Sequence, residues 1–225
     1  MSFFTASKKK EDVKQGGSNH ITGSGVYPVK VLAPVVSISK GGSTTVDLFI
    51  DHQGQKQIIY GNLRVTNNDG SPNTIGAKVF NQMMIIAGLD EVADPVEVEL
   101  PIGKNSAMKT VTALEDLADI EILMRIQMEY GFYNGAITEK KVIKAFFRAS
   151  DNATAEEIVN GTEAGKGYEA EMKYVNNVTY QDGVTPEQVA AWIASGRKES
   201  GKTGDTSSAT TAAAPKFGAR RFGQE

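Results

Sequence analysis

The chain has 225 residues, 40% of them hydrophobic and 23% charged, enough for one domain of about 170 to 180 residues with a real apolar core. It has no cysteine, which excludes a disulfide framework, a thiol nucleophile and a thiolate metal site. The net charge of −3 is unevenly placed: residues 1–20 carry four Lys against two acids, residues 196–225 carry six Lys or Arg against three, and the remainder is left at −8. Such a core lacks the uniformly basic footprint of a duplex-DNA binder, but a single-strand binder tolerates it when its cations gather in one groove and aromatic stacking supplies much of the affinity. No stretch approaches the ~20 apolar residues that span a bilayer, and MSFFTASKKKEDVKQGG lacks the apolar run and cleavage site of a secretory signal. A soluble protein that is not exported and has no membrane partner is expected.

Residues 1–24, a lysine run followed by GGSNHITGSG, read as a flexible leader, with order beginning near Gly25. Residues 26–39 are β-prone, Lys40-Gly41-Gly42 marks a turn, and residues 43–52 place Val46, Leu48 and Ile50 on one face, predicting a hairpin. A third strand is predicted over 57–65, ending at the turn-rich TNNDGSPN, so the three make a meander. The period then changes. Ile75, Val79, Met83 and Ile86 at helical spacing, with Asn73 or Thr74 as N-cap and Gly88 near the end, predict a helix over 74–89.

Residues 95–101 set Val96 and Val98 against Glu97 and Glu99, a short edge strand with an acidic outer face. The clearest alternation runs over 120–130, with Ile120, Ile122, Met124, Ile126, Met128 and Tyr130 on one face; Asn134-Gly135 then turns the chain into a partner strand over 136–148. Residues 151–183 are polar and mixed, with a short helix at 153–159 and a peripheral strand at 172–179. Thr185-Pro186-Glu187-Gln188 starts a last helix that runs to Gly196 and is anchored by the single tryptophan, Trp192. Residues 197–225 are low-complexity and weakly basic and are expected to be disordered. The predicted fold is mainly β with peripheral helices: an OB-like five-stranded barrel over 25–196, with an inserted helix and a disordered C-terminal tail.

For catalysis the chain offers only two histidines, His20 and His52, both expected in solvent. It has no GxxxxGK[ST], GxSxG or HExxH, so no catalytic residue is assigned and a non-enzymatic protein is expected. Acids gather at Asp90, Glu91 and Asp94 and again at Glu115, Asp116, Asp119 and Glu121. The second group allows a metal-dependent nuclease built on Asp116, Asp119 and Glu121 as an alternative. Solvent-facing acids in loops and first helical turns are common, however, and no metal or other cofactor is expected.

Single-strand binding requires aromatic faces for bases and Lys or Arg for phosphates on one surface. On the strand over 136–148, Lys140, Val142, Lys144, Phe146 and Arg148 share a face, opposite Ile137, Glu139, Lys141, Ile143, Ala145 and Phe147. On the third strand Ile58, Tyr60, Asn62 and Arg64 face away from Ile59, Gly61, Leu63 and Val65. Phe49 projects between Asp47 and Asp51 and joins Tyr60 as a stacking platform. The candidate nucleic-acid-binding groove is therefore Phe49, Tyr60, Arg64, Lys140, Lys144, Phe146 and Arg148, with Tyr27, Lys30, Lys40 and Lys56 as extensions. A sheet whose second face is solvated, or covered by the last helix, has the same pattern.

GVYPVKV, KGGSTTVDLFI, LRVTNNDGSPN, VTALEDLADIEILMRIQ, KKVIKAFFRASDNATAEEI and TPEQVAAWIASGRKESGKT follow one another in an order that resembles bacteriophage single-stranded-DNA-binding proteins of siphophage type, over residues 25–202. The resemblance implies an OB-fold, sequence-independent coating and protection of single-stranded DNA during phage replication or recombination, and a location in the host bacterial cytoplasm. It carries no residue-level binding motif. One departure concerns the C-terminus: many single-strand-binding proteins end in an acidic tail with a terminal aromatic, whereas this chain ends KFGARRFGQE. Phe217 and Phe222 beside Lys216, Arg220 and Arg221 suit DNA or an acidic surface, as a peptide for replication or recombination proteins, or else a solubilising end. The acidic core also admits a phage structural or assembly protein whose β-barrel binds protein.

Overall fold

Three strands, β1 (Gly25–Ile38), β2 (Thr44–His52) and β3 (Gln55–Arg64), form the antiparallel meander that the alternation predicts. The computed structural model describes residues 19–102 and 106–197; residues 1–18 of the expected leader and 198–225 of the expected tail lie outside the described residues. Gln53 and Gly54, with φ of 52° and 82°, make the tight turn between β2 and β3 that suits strand twist. Packing begins earlier than Gly25. Ile21 is buried and its backbone N–H donates to Gln57 Oε1 at 3.1 Å, while the Ser24 hydroxyl donates to the Asn177 carbonyl and accepts from the Met128 N–H.

β1 organises the sheet because it changes neighbour along its length. Its residues 25–30 pair with β6 (Glu121–Tyr133), and Val35 and Val36 pair with β5 (Lys109–Ala113). An irregularity between Val31 and Ala33 bends it at the switch, where Val31 bonds to the backbone of both Asp119 and Ile120. β5 was not anticipated; a single 3-10 turn, Glu115–Leu117, follows it and precedes the long strand. Among the described residues β4 (Val96–Leu100) pairs only with β5 and is the expected edge. β6 and β7 (Ala136–Arg148) form the predicted hairpin about Asn134-Gly135, and β8 (Val178–Tyr180) adds to β6 in parallel.

The described residues therefore hold eight strands in one sheet, mainly antiparallel, rather than five. Among the described residues no ladder joins β3 to β7, so hydrogen bonding leaves the sheet open, and the expected OB-like five-stranded barrel is corrected in that respect. The core lies inside its curl, where Val29 and Val31, Leu48 and Ile50, Ile59 and Leu63, Ile122 through Met128 at alternate positions, and Ile143 and Phe146 meet.

Helix α1 (Thr74–Ala87) closes this core, capped by the Asn73 side chain, which accepts from the Gly76 N–H at 2.9 Å, and by left-handed Gly88. Its buried face is Gly76, Phe80, Met83 and Ile86; Ile75, placed on that face by the spacing, is 77% exposed. The helix rolls toward Gly76 because only a residue without Cβ allows its backbone to rest on the Arg64 carbonyl. Three shorter helices follow, α2 (Ala155–Asn160), α3 (Lys166–Met172) and α4 (Pro186–Ala194). α3, unlike the other two, was not predicted. Its Tyr168 packs edge-on against Phe147 at 5.1 Å, and its Glu171 pairs with the buried Arg125 at 2.9 Å, so this segment covers the second face of the β6–β7 hairpin.

Candidate nucleic-acid interface

β3 runs beside β7 without pairing to it, and the seam between them is a shallow groove of about 340 Å³ lined by Ile58, Tyr60, Glu139, Lys140 and Lys141. Tyr60 is 61% exposed, as a side chain opposite the buried Ile59 must be. Lys140 is exposed and Lys141 half-buried. Burial pushes the Lys141 ammonium below the usual lysine range, against the pull of Glu139. Lys56 shares the exposed side of β3, two positions before Ile58, and Arg64 is exposed at the strand's far end.

The structure divides the seven residues singled out by alternation. Tyr60, Arg64 and Lys140 lie on the surface as expected. Phe146 does not: it is 2% exposed and belongs to the main core. The cause is a register shift opposite Arg125 and Ile126, where Lys144 is the extra residue of β7, so the inward face passes from Ile143 to Phe146. Phe49 points away from the main core as predicted but is 4% exposed, because Val98, Leu100 and Ile102 fold over it against Ala33 and Ala113. Lys144 and Arg148 are engaged by carboxylates, Lys144 with Glu129 at 3.0 Å and Arg148 through two bonds to Asp151 at 2.9 and 2.6 Å.

Of the proposed extensions, Tyr27 sits edge-on to His52 at 5.4 Å and bonds to the Gly23 carbonyl, and Lys30 pairs with Asp119 at 2.8 Å. Lys40 and Lys56 are exposed. His52, expected in solvent, is buried, with Nδ1 2.8 Å from the Pro28 carbonyl. Lys141 was missed because strict alternation assigns it to the core face; two adjacent lysines at a strand seam leave no periodic signal.

One rim of the groove is built by aromatic packing. Tyr130 stacks on Tyr180 at 6.0 Å and meets Trp192 edge-on at 6.4 Å, seating α4 as the tryptophan anchor predicts. Glu139 accepts from the Tyr130 hydroxyl at 3.3 Å and from Arg197 at 3.0 Å, while Arg197 also lies over the Trp192 ring. Burial and the Glu139 charge push the Tyr130 phenol up to about 12. Because Arg197 offsets Glu139, the charge that the groove presents is that of its two lysines.

Of the acids of the nuclease alternative, Asp116 accepts from the Ala93 N–H at 2.7 Å and Asp119 pairs with Lys30 at 2.8 Å. Among the described residues, no three His, Asp or Glu side chains converge as metal ligands, and no helix is long and apolar enough to cross a membrane. No protein-family model matches the chain, and no curated protein matches it either.

Proposed function

We propose that this protein is a non-enzymatic, sequence-independent single-stranded-DNA-binding protein that coats DNA during phage replication or recombination in the host cytoplasm. The observation that carries the reading is an exposed tyrosine beside two lysines in an open groove between strands: a face for a base next to charges for phosphates. The connectivity supports an OB-like core. With the β4–β5 hairpin and β8 set aside as additions, the ladder order is β3-β2-β1-β6-β7, a helix follows the third strand, and β7 returns against β3. OB-folds are partly open five-stranded barrels that bind oligonucleotides on the face of their second and third strands and on the loops between strands one and two and strands four and five. Tyr60 stands exposed on β3, and Tyr133, exposed, ends β6 beside the Asn134-Gly135 turn, positions that suit such a face and loop.

Fluorescence-anisotropy titration of labelled oligo-dT and a matched duplex at two salt concentrations tests the proposal. Preference for oligo-dT is expected, together with a salt slope that falls by about 1.4 in Lys140→Gln/Lys141→Gln, since each single-strand phosphate contact contributes ~0.7. Binding that is absent, or equal for duplex and single strand, overturns it. A protein-binding assembly role is the second reading. It is favoured by β4, a strand paired on one side only, with Val96 exposed, that is open to strand addition by another chain.

A further inference from the structure

We infer that a second cleft, which shares Lys140 with the Tyr60 groove, takes a guanine base and reads it with the Asp182 carboxylate. The inference rests on the single-strand-binding reading above and deepens it by giving one subsite a base preference. The cleft, of about 280 Å³, lies between the β6–β7 hairpin and the turn that follows β8, with Tyr133, Glu139, Lys140 and Asp182 among its walls. Glu139 and Lys140 also line the Tyr60 groove, so the two openings have a wall in common. A strand that sets one base against Tyr60 and a phosphate at Lys140 therefore has a place for a neighbouring base in the second cleft.

The backbone fixes Asp182 at this position. The Gln181 N–H donates to the Tyr130 carbonyl at 2.8 Å, and the Val184 N–H donates to the Gln181 carbonyl at 3.0 Å across a tight turn in which Asp182 and Gly183 have φ of 54° and 78°. The carboxylate lies against the buried Gly131, where a Cβ would stand 2.9 Å from Oδ2, so glycine leaves it its room. Two other carboxylates of the cleft are already matched: Glu129 by Lys144 at 3.0 Å and the Gln181 amide at 3.3 Å, Glu139 by Arg197 at 3.0 Å. Among the described residues the Asp182 carboxylate receives neither a hydrogen bond nor an ion pair, and it is the acceptor that the cleft offers a ligand.

An ionised carboxylate only accepts hydrogen bonds, and it pairs best with an edge that carries two adjacent donors. Guanine has such an edge in its N1–H and its 2-amino group. Cytosine and adenine set an acceptor nitrogen beside their amino group, and thymine flanks its one N–H with carbonyls, so each of these turns a lone pair toward the carboxylate. Tyr133, 70% exposed, supplies a face for the ring.

The test is anisotropy titration of the full-length protein and its Asp182→Asn variant with three strands of one length: oligo-dT, the same strand with isolated thymines replaced by guanine, and that strand with hypoxanthine, which lacks the 2-amino group, in place of guanine. Asparagine tolerates the left-handed backbone at this position, so the variant should fold. The wild type should hold the guanine strand about 5- to 150-fold more tightly than oligo-dT, the range for one bidentate contact, with the hypoxanthine strand between them. In Asp182→Asn the guanine advantage should vanish while oligo-dT is bound at least as tightly as by the wild type. A wild type that does not distinguish guanine from thymine overturns the inference, as does a guanine advantage that survives in Asp182→Asn or is equalled by hypoxanthine. If the wild type binds none of the strands, the underlying DNA-binding reading fails, a result distinct from these.

Discussion

Two aromatics that sequence alternation assigned to one binding surface should respond to truncation in opposite ways. Phe146 is 2% exposed and packed in the main core, so Phe146→Ala removes most of a buried ring and leaves a cavity among Ile143, Met124 and their neighbours. The expected cost is about 3–5 kcal/mol, a fall in melting temperature of about 6–20 °C for a domain of this size. Tyr60, 61% exposed at the β3–β7 seam, should change stability by less than about 0.5 kcal/mol when replaced by alanine. Its loss should instead weaken oligo-dT binding by ~1–3 kcal/mol, roughly 5- to 150-fold, the range for one stacked base. Urea or thermal unfolding read by circular dichroism, with anisotropy titration of the same samples, measures both quantities. If Tyr60→Ala binds as tightly as wild type the groove is wrongly placed, and if Phe146→Ala melts with wild type the register shift at Lys144 is wrong.

Glu157 completes the capping box of α2, where its carboxylate accepts from the backbone N–H groups of Thr154, Gly165 and Gly167 at 2.8, 3.1 and 2.7 Å. These bonds hold its pKa at about 2, below the ordinary 4.5, so they stabilise the fold above that ordinary value and the contribution is lost as pH falls toward 2. Glu157→Gln should cost about 1–3 kcal/mol at neutral pH, a difference that closes on acidification; a gap constant from pH 7 to pH 2 would refute the assignment. Gly76→Ala should destabilise by about 1–3 kcal/mol in chemical denaturation even though alanine favours helix, because the new Cβ would overlap the Arg64 carbonyl oxygen; a more stable variant would contradict the packing of α1 on β3. Arg197→Ala should leave stability within about 1 kcal/mol, as for a partly exposed ion pair, yet lower oligo-dT affinity by unmasking Glu139, which titration beside Glu139→Gln/Arg197→Ala would reveal by recovery in the double variant.

The elements themselves were legible along the chain. The meander, the capped helix after it, the Asn134-Gly135 hairpin with its partner strand and the Thr185-Pro186 helix start all follow from local rules: side-chain period, turn conformation and caps act within a few residues. The acidic edge at β4 was readable for the same reason. What lay outside local reach was decided by packing across the sheet. β5 has a short, weakly apolar sequence, KTVTA, and becomes a strand because β1 bends at Val31 and offers it a free edge. Phe49 has the orientation that alternation predicts, yet the β4–β5 hairpin buries it. One extra residue at Lys144 turned Phe146 inward, and no period-2 pattern can announce its own interruption. The groove that remains, with Tyr60 from β3 beside Lys140 and Lys141 from β7, joins residues some 80 positions apart in sequence. Sequence determines which side chains each strand presents; the curl of the sheet decides which of them meet, because that depends on where strands distant along the chain come to rest.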